Sequence, residues 1–409
     1  MTKALSREDY AALDAADPLA PFLARFRRPR DLLYFDGNSL GMLPWAASRR
    51  VVEALEIEWG EGLIESWTEA SWIDLPQRVG AKIARLTGAD ADEVIATDST
   101  SINLFKLLAA GLKLRPGRRV ILTEVGNFPT DIYMAEGLAH LLGDVEVRLA
   151  EDVAAAITED VAVVALSHVD YRNSALADMA GLTAAAHAKG ALILWDLSHS
   201  AGALPVALGE ADFAVGCGYK FLNGGPGAPA YAFVARRWHP MLIQPLAGWM
   251  GHAAPFEFEA HYRPAPGIKR ALSGTPSVLA MTALDAALDL LLEAGMDRIR
   301  AKAQAQMDLF ARLIEERCPE VGLELLTPHA HETRGSHLAY RHAEGYALTQ
   351  ALRARRVVPD FRAPDIIRFG FTPLTLAYAE IWDAVERLAA IWREEFWREP
   401  RFAMKAAVT

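Results

Sequence analysis

Two charged residues at the ends of apolar runs carry the first chemical signal. In ALILWDLSHSAGALPVALGEADFAVGCGYKFLNGGPG, residues 191–227, Asp196 closes one hydrophobic run and Lys220 follows a second. In an open α/β sheet, ligands sit outside the carboxyl ends of the strands, so two such ends bring opposite charges to one crevice. A lysine amine and a carboxylate in that relation suit pyridoxal phosphate. The amine forms a Schiff base with the aldehyde carbon, and the carboxylate keeps the pyridine nitrogen protonated so that the ring withdraws electrons. Sequestering a lysine from water lowers its pKa and favours the neutral, nucleophilic amine. The same two residues would also serve as a helix cap and a surface loop lysine. The run GYKFLNGGPG, from Gly218 to Gly227, is too glycine-rich for an ordinary helix start and points to backbone that approaches a ligand closely.

A phosphate needs donors, and the segment TDSTSIN, Thr97–Asn103, offers them between a strand-like run (Val94–Ala96) and a helical run (Leu104–Leu112). A helix N-terminus presents unpaired N–H groups and a favourable dipole to an anion. Thr100 and Ser101 would give backbone amides there, and Ser101 its hydroxyl. Ordinary Ser/Thr capping would produce the same local sequence.

The elements that must position these residues follow from the apolar pattern. Val120–Thr123, Ala162–Ser167, Ala191–Asp196 and Phe213–Gly216 are short, apolar and largely uncharged, as parallel strands covered on both faces are. Between them lie helical stretches such as the Ala-rich Ala180–Lys189, with Gly190 placed to end it. This alternation predicts an α/β domain with a mostly parallel sheet. After about Gly274 the pattern changes to a long helical stretch, Val278 to about Arg317, with a break near Gly295. Strand candidates follow at Gly322–Leu326, Ser336–Tyr340 and Ile366–Phe369, then a helix near Leu376–Glu394. The expected organisation is an N-terminal arm over residues 1–40, a large cofactor-binding domain over 41–274 and a smaller α+β domain over 275–409.

Bulk properties fit this reading. A chain of 409 residues is long enough for two domains. A hydrophobic content of 52% with 23% charged residues is ordinary for a globular protein. A net charge of −10 argues against general affinity for nucleic acid or anionic membranes. Cys217 and Cys318 cannot form a disulfide framework or a C-x-x-C metal pair. Residues 1–20 are broken by charges and lack the apolar core of a signal peptide. The most apolar stretch, Ser277–Met296, is interrupted by Asp285, Asp289 and Glu293 at four-residue spacing, a polar stripe on a helix rather than a membrane span. The expectation is a cytoplasmic protein with no metal, acting on a small molecule.

Several separate motifs, in order, resemble the kynureninases among the fold type I pyridoxal-phosphate enzymes. They are Tyr34–Gly41 (YFDGNSLG), Asn127–Asp131 (NFPTD), Ser167–Arg172 (SHVDYR), the Trp-Asp-x-x-His-Ser-Ala-Gly run around Asp196, and YKFLNGGPG at Tyr219–Gly227. The resemblance spans residues 34 to about 374. It implies hydrolysis of L-kynurenine, and possibly of its 3-hydroxy form, to the anthranilate and L-alanine, in tryptophan catabolism and NAD precursor synthesis. In this reading Lys220 removes the α-proton, the ring held by Asp196 accepts the charge, water adds to the γ-carbonyl and the Cβ–Cγ bond breaks.

The resemblance also assigns the remaining residues. Phe128 matches the aromatic stacked on the ring, and Asp131 an aspartate close to it. Ser167, His199 and Tyr219 match positions that contact the cofactor, with Tyr219 adjoining Lys220. Where this chain has Ser101 the family usually has threonine, so the hydroxyl is kept. Trp249 and Thr275 are implied to reach the phosphate of a neighbouring subunit, which requires a homodimer. Arg368, in DIIRFGFTPL, matches the arginine that binds the substrate α-carboxylate, for which a planar guanidinium gives two parallel hydrogen bonds. Trp67, Trp72 and Trp249 are candidates for the wall against the aryl group. Each has a structural counterpart as a core, interface or capping residue. The alternatives are another fold type I enzyme, a class V aminotransferase or a cysteine desulfurase-like lyase, and a non-catalytic pyridoxal-phosphate binder. A desulfurase needs a mobile reactive cysteine, and neither Cys217 at a strand end nor Cys318 at a helix end is placed as one.

Overall fold

The computed structural model describes residues 5–404. It divides into two compact units: one of residues 46–170 and 177–292, the other running through Trp45, taking in Tyr171–Leu176 and resuming at Glu293.

The first unit is built on a seven-stranded sheet. From one edge, the strands are Val94–Ala96, Tyr231–Val234, Phe213–Gly216, Leu192–Asp196, Val161–Ser167, Val120–Glu124 and Glu146–Ala150. The four pairings from Phe213–Gly216 onward are parallel. Tyr231–Val234 is antiparallel to both of its neighbours. Because it reverses direction, Val94–Ala96 runs the same way as the five parallel strands. The carboxyl ends of six strands therefore point to one edge; Ser167 and Asp196 end two of them, and Thr100, Phe128 and Lys220 follow three others. The central strands are buried on both faces, which is why they read as continuous apolar runs and not as alternating ones. Helices Thr100–Leu114 and Met179–Ala188 lie where the alternation placed them. Gly190, at φ 72°, adopts the left-handed conformation expected after a helix end.

One glycine here is fixed by packing. Gly216 pairs across the sheet with Tyr231, and a Cβ at Gly216 would lie 2.3 Å from the buried Tyr231 hydroxyl. Gly216→Ala must push that ring aside, and is expected to cost about 1–3 kcal/mol, the usual scale for overpacking a filled core. Thermal or urea denaturation would show it; an unchanged midpoint would mean that the ring moves freely.

The second unit holds a four-stranded antiparallel sheet in the order Asp360–Arg362, Ile366–Gly370, His337–Arg341, Glu324–Leu325. Helices Met296–Arg317, Gly345–Ala354 and Tyr378–Arg393 supply much of its core. The N-terminal segment is part of this unit rather than a separate arm over residues 1–40. Leu33–Tyr34 pairs in parallel with Val357–Val358, and the Phe35 ring packs 5.7 Å from Phe310, 5.9 Å from Phe369 and 5.7 Å from Phe371. Residues 1–4 of that expected arm lie outside the described residues. The later division also falls at Leu292/Glu293, not at residue 274. The reason is the helix Val278–Ala294. Its Leu284 packs against Gly218 and Gly224, and its Asp285 accepts from Arg78 and Lys82, so most of it belongs with the lysine loop. Gly295, at φ 80°, then separates it from Met296–Arg317, at the expected break.

Candidate active site

The site forms where the strand ends of the first unit converge. Asp196 is the last residue of its strand and is buried. Ser198, two residues on, donates its backbone N–H (2.8 Å) and its hydroxyl (2.6 Å) to Asp196 Oδ1. Both bonds fall on one oxygen, so Oδ2 is the one open to a ring nitrogen. Burial raises the carboxyl pKa, while the Ser198 donors and the Lys220 ammonium pull it down. The tight turn after Asp196 brings His199 back to the same edge, where its Nε2 lies 3.0 Å from Lys220 Nζ. The amine also sits 5.8 Å from the centre of the Phe128 ring and 6.0 Å from that of Tyr219. Burial pushes the Tyr219 phenol up, with Cys217 adding to the effect.

Phe128 immediately precedes helix Pro129–Leu142, and Asp131 lies in that helix's first turn. Asp131 is buried, and its carboxyl is held well above the usual range by burial and then by the Asp196 charge, against the pull of Lys220. Phe128 is aimed by Asn127, whose Oδ1 accepts from the Phe128 N–H (2.7 Å) and the Ser167 hydroxyl (2.7 Å), while its Nδ2 donates to Thr123 (3.0 Å). Asn127 thus ties the Phe128 loop to Ser167, a role not assigned from sequence although the residue lies in the NFPTD motif. Ser198 was missed as well; its signal was its place two residues after the carboxylate, where side-chain-to-backbone turns close.

Thr100 and Ser101 are the first two residues of helix Thr100–Leu114, with Ser99 as its cap. Their N–H groups have no acceptor within the helix. The loop before them is stitched to the neighbouring strand by Thr97 N–H to Ala230 O and Ala230 N–H to Asp98 O, each 2.9 Å. Buried Lys106 fixes it further, donating to Asp98 Oδ2 (2.5 Å) and Ala271 O (2.8 Å). The arrangement has the parts that pyridoxal phosphate requires: an amine, a buried carboxylate with a free oxygen, an aromatic face beside the amine and a helix N-terminus for an anion.

His168 flanks this edge, its backbone N–H donating to Asp196 O (2.9 Å) and its ring 6.0 Å from Trp195. Burial alone lowers its pKa from 6.5 to about 4. A histidine that stays neutral in the fold stabilises it fully above pH 6.5, and that contribution is lost as pH falls from 6.5 towards 4, by up to about 3 kcal/mol. His168→Gln is expected to flatten that part of the stability curve. Urea midpoints for both proteins at pH 7.5 and 4.5 test this, and parallel curves would refute it.

Trp249 and Thr275 are both exposed, on adjacent loops joined by the Met250 N–H to Ser273 O bond of 3.2 Å. The Trp249 ring packs edge-on against the exposed Phe256 at 5.6 Å. Trp67 and Trp72 form an edge-to-face pair at 5.9 Å. Trp67 packs against the core of this unit, and Trp72 Nε1 donates to Glu58 (2.7 Å).

Arg368 belongs to the second unit and is fully buried on strand Ile366–Gly370. Its Nε donates to Asp360 Oδ2 (2.9 Å), its Nη2 to the same oxygen, and its Nη1 to the Tyr171 carbonyl. Asp36, from the YFDGNSLG motif, is electrostatically coupled to this cluster. Burial and then the Asp360 charge raise its pKa to about 6.

Over 99% of its length this chain is 49% identical to the whole of a kynureninase from Burkholderia mallei (strain SAVP1). The chain belongs to the kynureninase family. A kynureninase from Pseudomonas fluorescens is 47% identical over the same share, and the family model for the kynureninase C-terminal domain matches residues 299–388. Solved structures share the fold at lower identity. A cysteine desulfurase from Escherichia coli has a TM-score of 0.77 at 16% identity, covering 92% of this chain and 98% of its own. One from Thermococcus onnurineus has a TM-score of 0.73 at 17% identity, covering 97% and 99%. The desulfurase chemistry itself finds no counterpart in the two cysteines of this kynureninase-family chain. Both are buried, and burial pushes the Cys217 thiol up and that of Cys318 to about 12.

Proposed function

We propose that this chain is a pyridoxal-phosphate hydrolase that cleaves L-kynurenine to anthranilate and L-alanine. The observation that carries the reading is the placement of Lys220 Nζ, 3.0 Å from His199 and beside the Phe128 ring, on the edge that also carries buried Asp196. When bound, pyridoxal phosphate supplies the electron sink that stabilises negative charge at the substrate Cα. Lys220 would hold the cofactor aldehyde, and its Nζ would serve as the base for the α-proton; His199 Nε2, 3.0 Å away, is placed to receive or return that proton. Asp196 Oδ2 would keep the ring nitrogen protonated, with Ser198 fixing the carboxylate through Oδ1. Phe128 would cover the ring face and exclude water, Asp131 and Ser167 would line the ring, and Tyr219 with the Thr100 and Ser101 amides would hold the phosphate.

Arg368 is the proposed α-carboxylate site. Trp67, Trp72 and Trp249 are proposed as aromatic surface for the aryl group. The exposure of Trp249 and Thr275 supports their use by a second copy of the chain, in a homodimer. Among the described residues no helix is long and apolar enough to cross a membrane; two unpaired cysteines support a cytoplasmic protein. The test is release of alanine and anthranilate from L-kynurenine by the purified holoenzyme, run beside 3-hydroxykynurenine. Normal cofactor spectra without alanine release would favour a class V aminotransferase, which regenerates with a keto acid.

A further inference from the structure

The way Arg368 is held carries an inference about a neighbouring residue. A guanidinium has two edges able to take a carboxylate in parallel, the side edge of Nε and Nη2 and the end edge of Nη1 and Nη2. Asp360 Oδ2 accepts from both Nε and Nη2, so it fills the side edge. Among the described residues, the end edge meets neutral groups: the Tyr171 carbonyl on Nη1 and the Ser39 hydroxyl, 3.5 Å from Nη2. Asp360 is itself fixed. Its Oδ1 accepts from the Phe361 N–H at 2.8 Å, and Arg362 Nη2 lies 3.1 Å from its Oδ2. Asp360 and Arg368 are direct partners across antiparallel strands, so the pair is set by register and not by flexible loops. Both are buried.

We infer that Asp360 is a positioning residue for substrate binding: by occupying the side edge of Arg368 it presents the end edge, Nη1 and Nη2, to the α-carboxylate of the amino acid. This rests on the reading of Arg368 as the carboxylate site. With the side edge emptied the guanidinium is free to turn about its side-chain torsions, and an incoming carboxylate loses the fixed two-bond geometry. The second arginine, Arg362, would also lose its anchor and compete for the same anion.

The test compares L-alanine, the amino-acid product, with L-alaninamide, which lacks the carboxylate. Binding of each to the holoenzyme is read from the change in its visible spectrum. Asp360→Asn is expected to narrow the preference for alanine over its amide by about tenfold or more, the scale of one charge-assisted hydrogen bond. It should raise KM for L-kynurenine similarly, with kcat within about threefold. A role confined to packing would weaken both ligands alike and leave their ratio unchanged, and that result overturns the inference. Should Asp360→Asn not fold, Asp360→Glu keeps the charge but displaces the oxygens by one methylene, and the same narrowed ratio is expected; a wild-type ratio there overturns the inference. Arg368→Gln run in parallel separates the two claims. A wild-type ratio in Arg368→Gln removes the carboxylate site itself, and the inference with it. A lost ratio there, with Asp360 variants unchanged, removes only the positioning role.

Discussion

Lys220→Ala is expected to purify without the visible absorbance of a bound pyridoxal cofactor and to hydrolyse L-kynurenine at least about 10⁴-fold more slowly, since losing a proton-transfer group alone costs about 10²–10⁴. The size of the effect follows from the lack of a substitute. Lys106, a buried lysine of the same unit, is bonded to Asp98 and to the Ala271 carbonyl, and burial lowers its pKa while Asp98 opposes that shift. Moving its amine would leave the Asp98 loop unpinned. Lys220 instead meets His199 and two aromatic rings, with no anionic partner at hydrogen-bond distance among the described residues. The variant is expected to fold, because Lys220 is only partly buried and the core beneath it is apolar. Reductive trapping of the wild-type holoenzyme followed by peptide mapping should label Lys220. A label on another lysine, or turnover retained in Lys220→Ala, would show that the anchor lies elsewhere.

The site was legible where short-range pattern and strand direction coincide. Leu192–Asp196 and Phe213–Gly216 are uniformly buried, so their apolar runs announced parallel strands, and the residues that follow had to emerge at one edge. The break at Gly295 was legible for a similar reason: a positive φ between two helices favours glycine. What sequence did not reveal depends on contacts between distant segments. The strand Leu33–Tyr34 is two residues long and gains its place from Val357–Val358, more than 300 residues away, so it carries no periodic signal of its own. The helix Val278–Ala294 has the pattern of any amphipathic helix. Contacts such as Leu284 against Gly218 and Gly224, and Asp285 with Arg78 and Lys82, assign it to the cofactor unit. Asn127, Ser198 and Asp360 were missed as organising residues because each acts on a neighbour through hydrogen bonds that composition does not display. The register that pairs Asp360 with Arg368 is a property of the sheet, and a motif centred on Arg368 alone does not contain it.

Asp196→Asn is expected to retain the cofactor on Lys220 yet lose about 10²–10³-fold in turnover, the scale for removing one preorganised electrostatic partner. The substitution is nearly isosteric, and Ser198 donates only to Oδ1, so the amide oxygen can keep both of those bonds. What changes is the other arm: the oxygen proposed to accept from a protonated ring nitrogen becomes an NH₂ group that can only donate. Without that acceptor a pyridine nitrogen would not be held protonated, and the ring would be a weaker sink for charge at the substrate Cα. The same change removes a buried charge. Burial raises the Asp196 pKa in the cofactor-free protein, so ionising it there costs free energy that an amide does not. The cofactor-free variant should therefore melt no lower than the cofactor-free wild type, while the holoenzyme gains less stability from its cofactor than wild type does. Calorimetry of both forms separates these contributions. Turnover within tenfold of wild type would assign the ring nitrogen another partner, and Asp131, buried beside Asp196 with its carboxyl raised by the same desolvation, would be the residue to replace next.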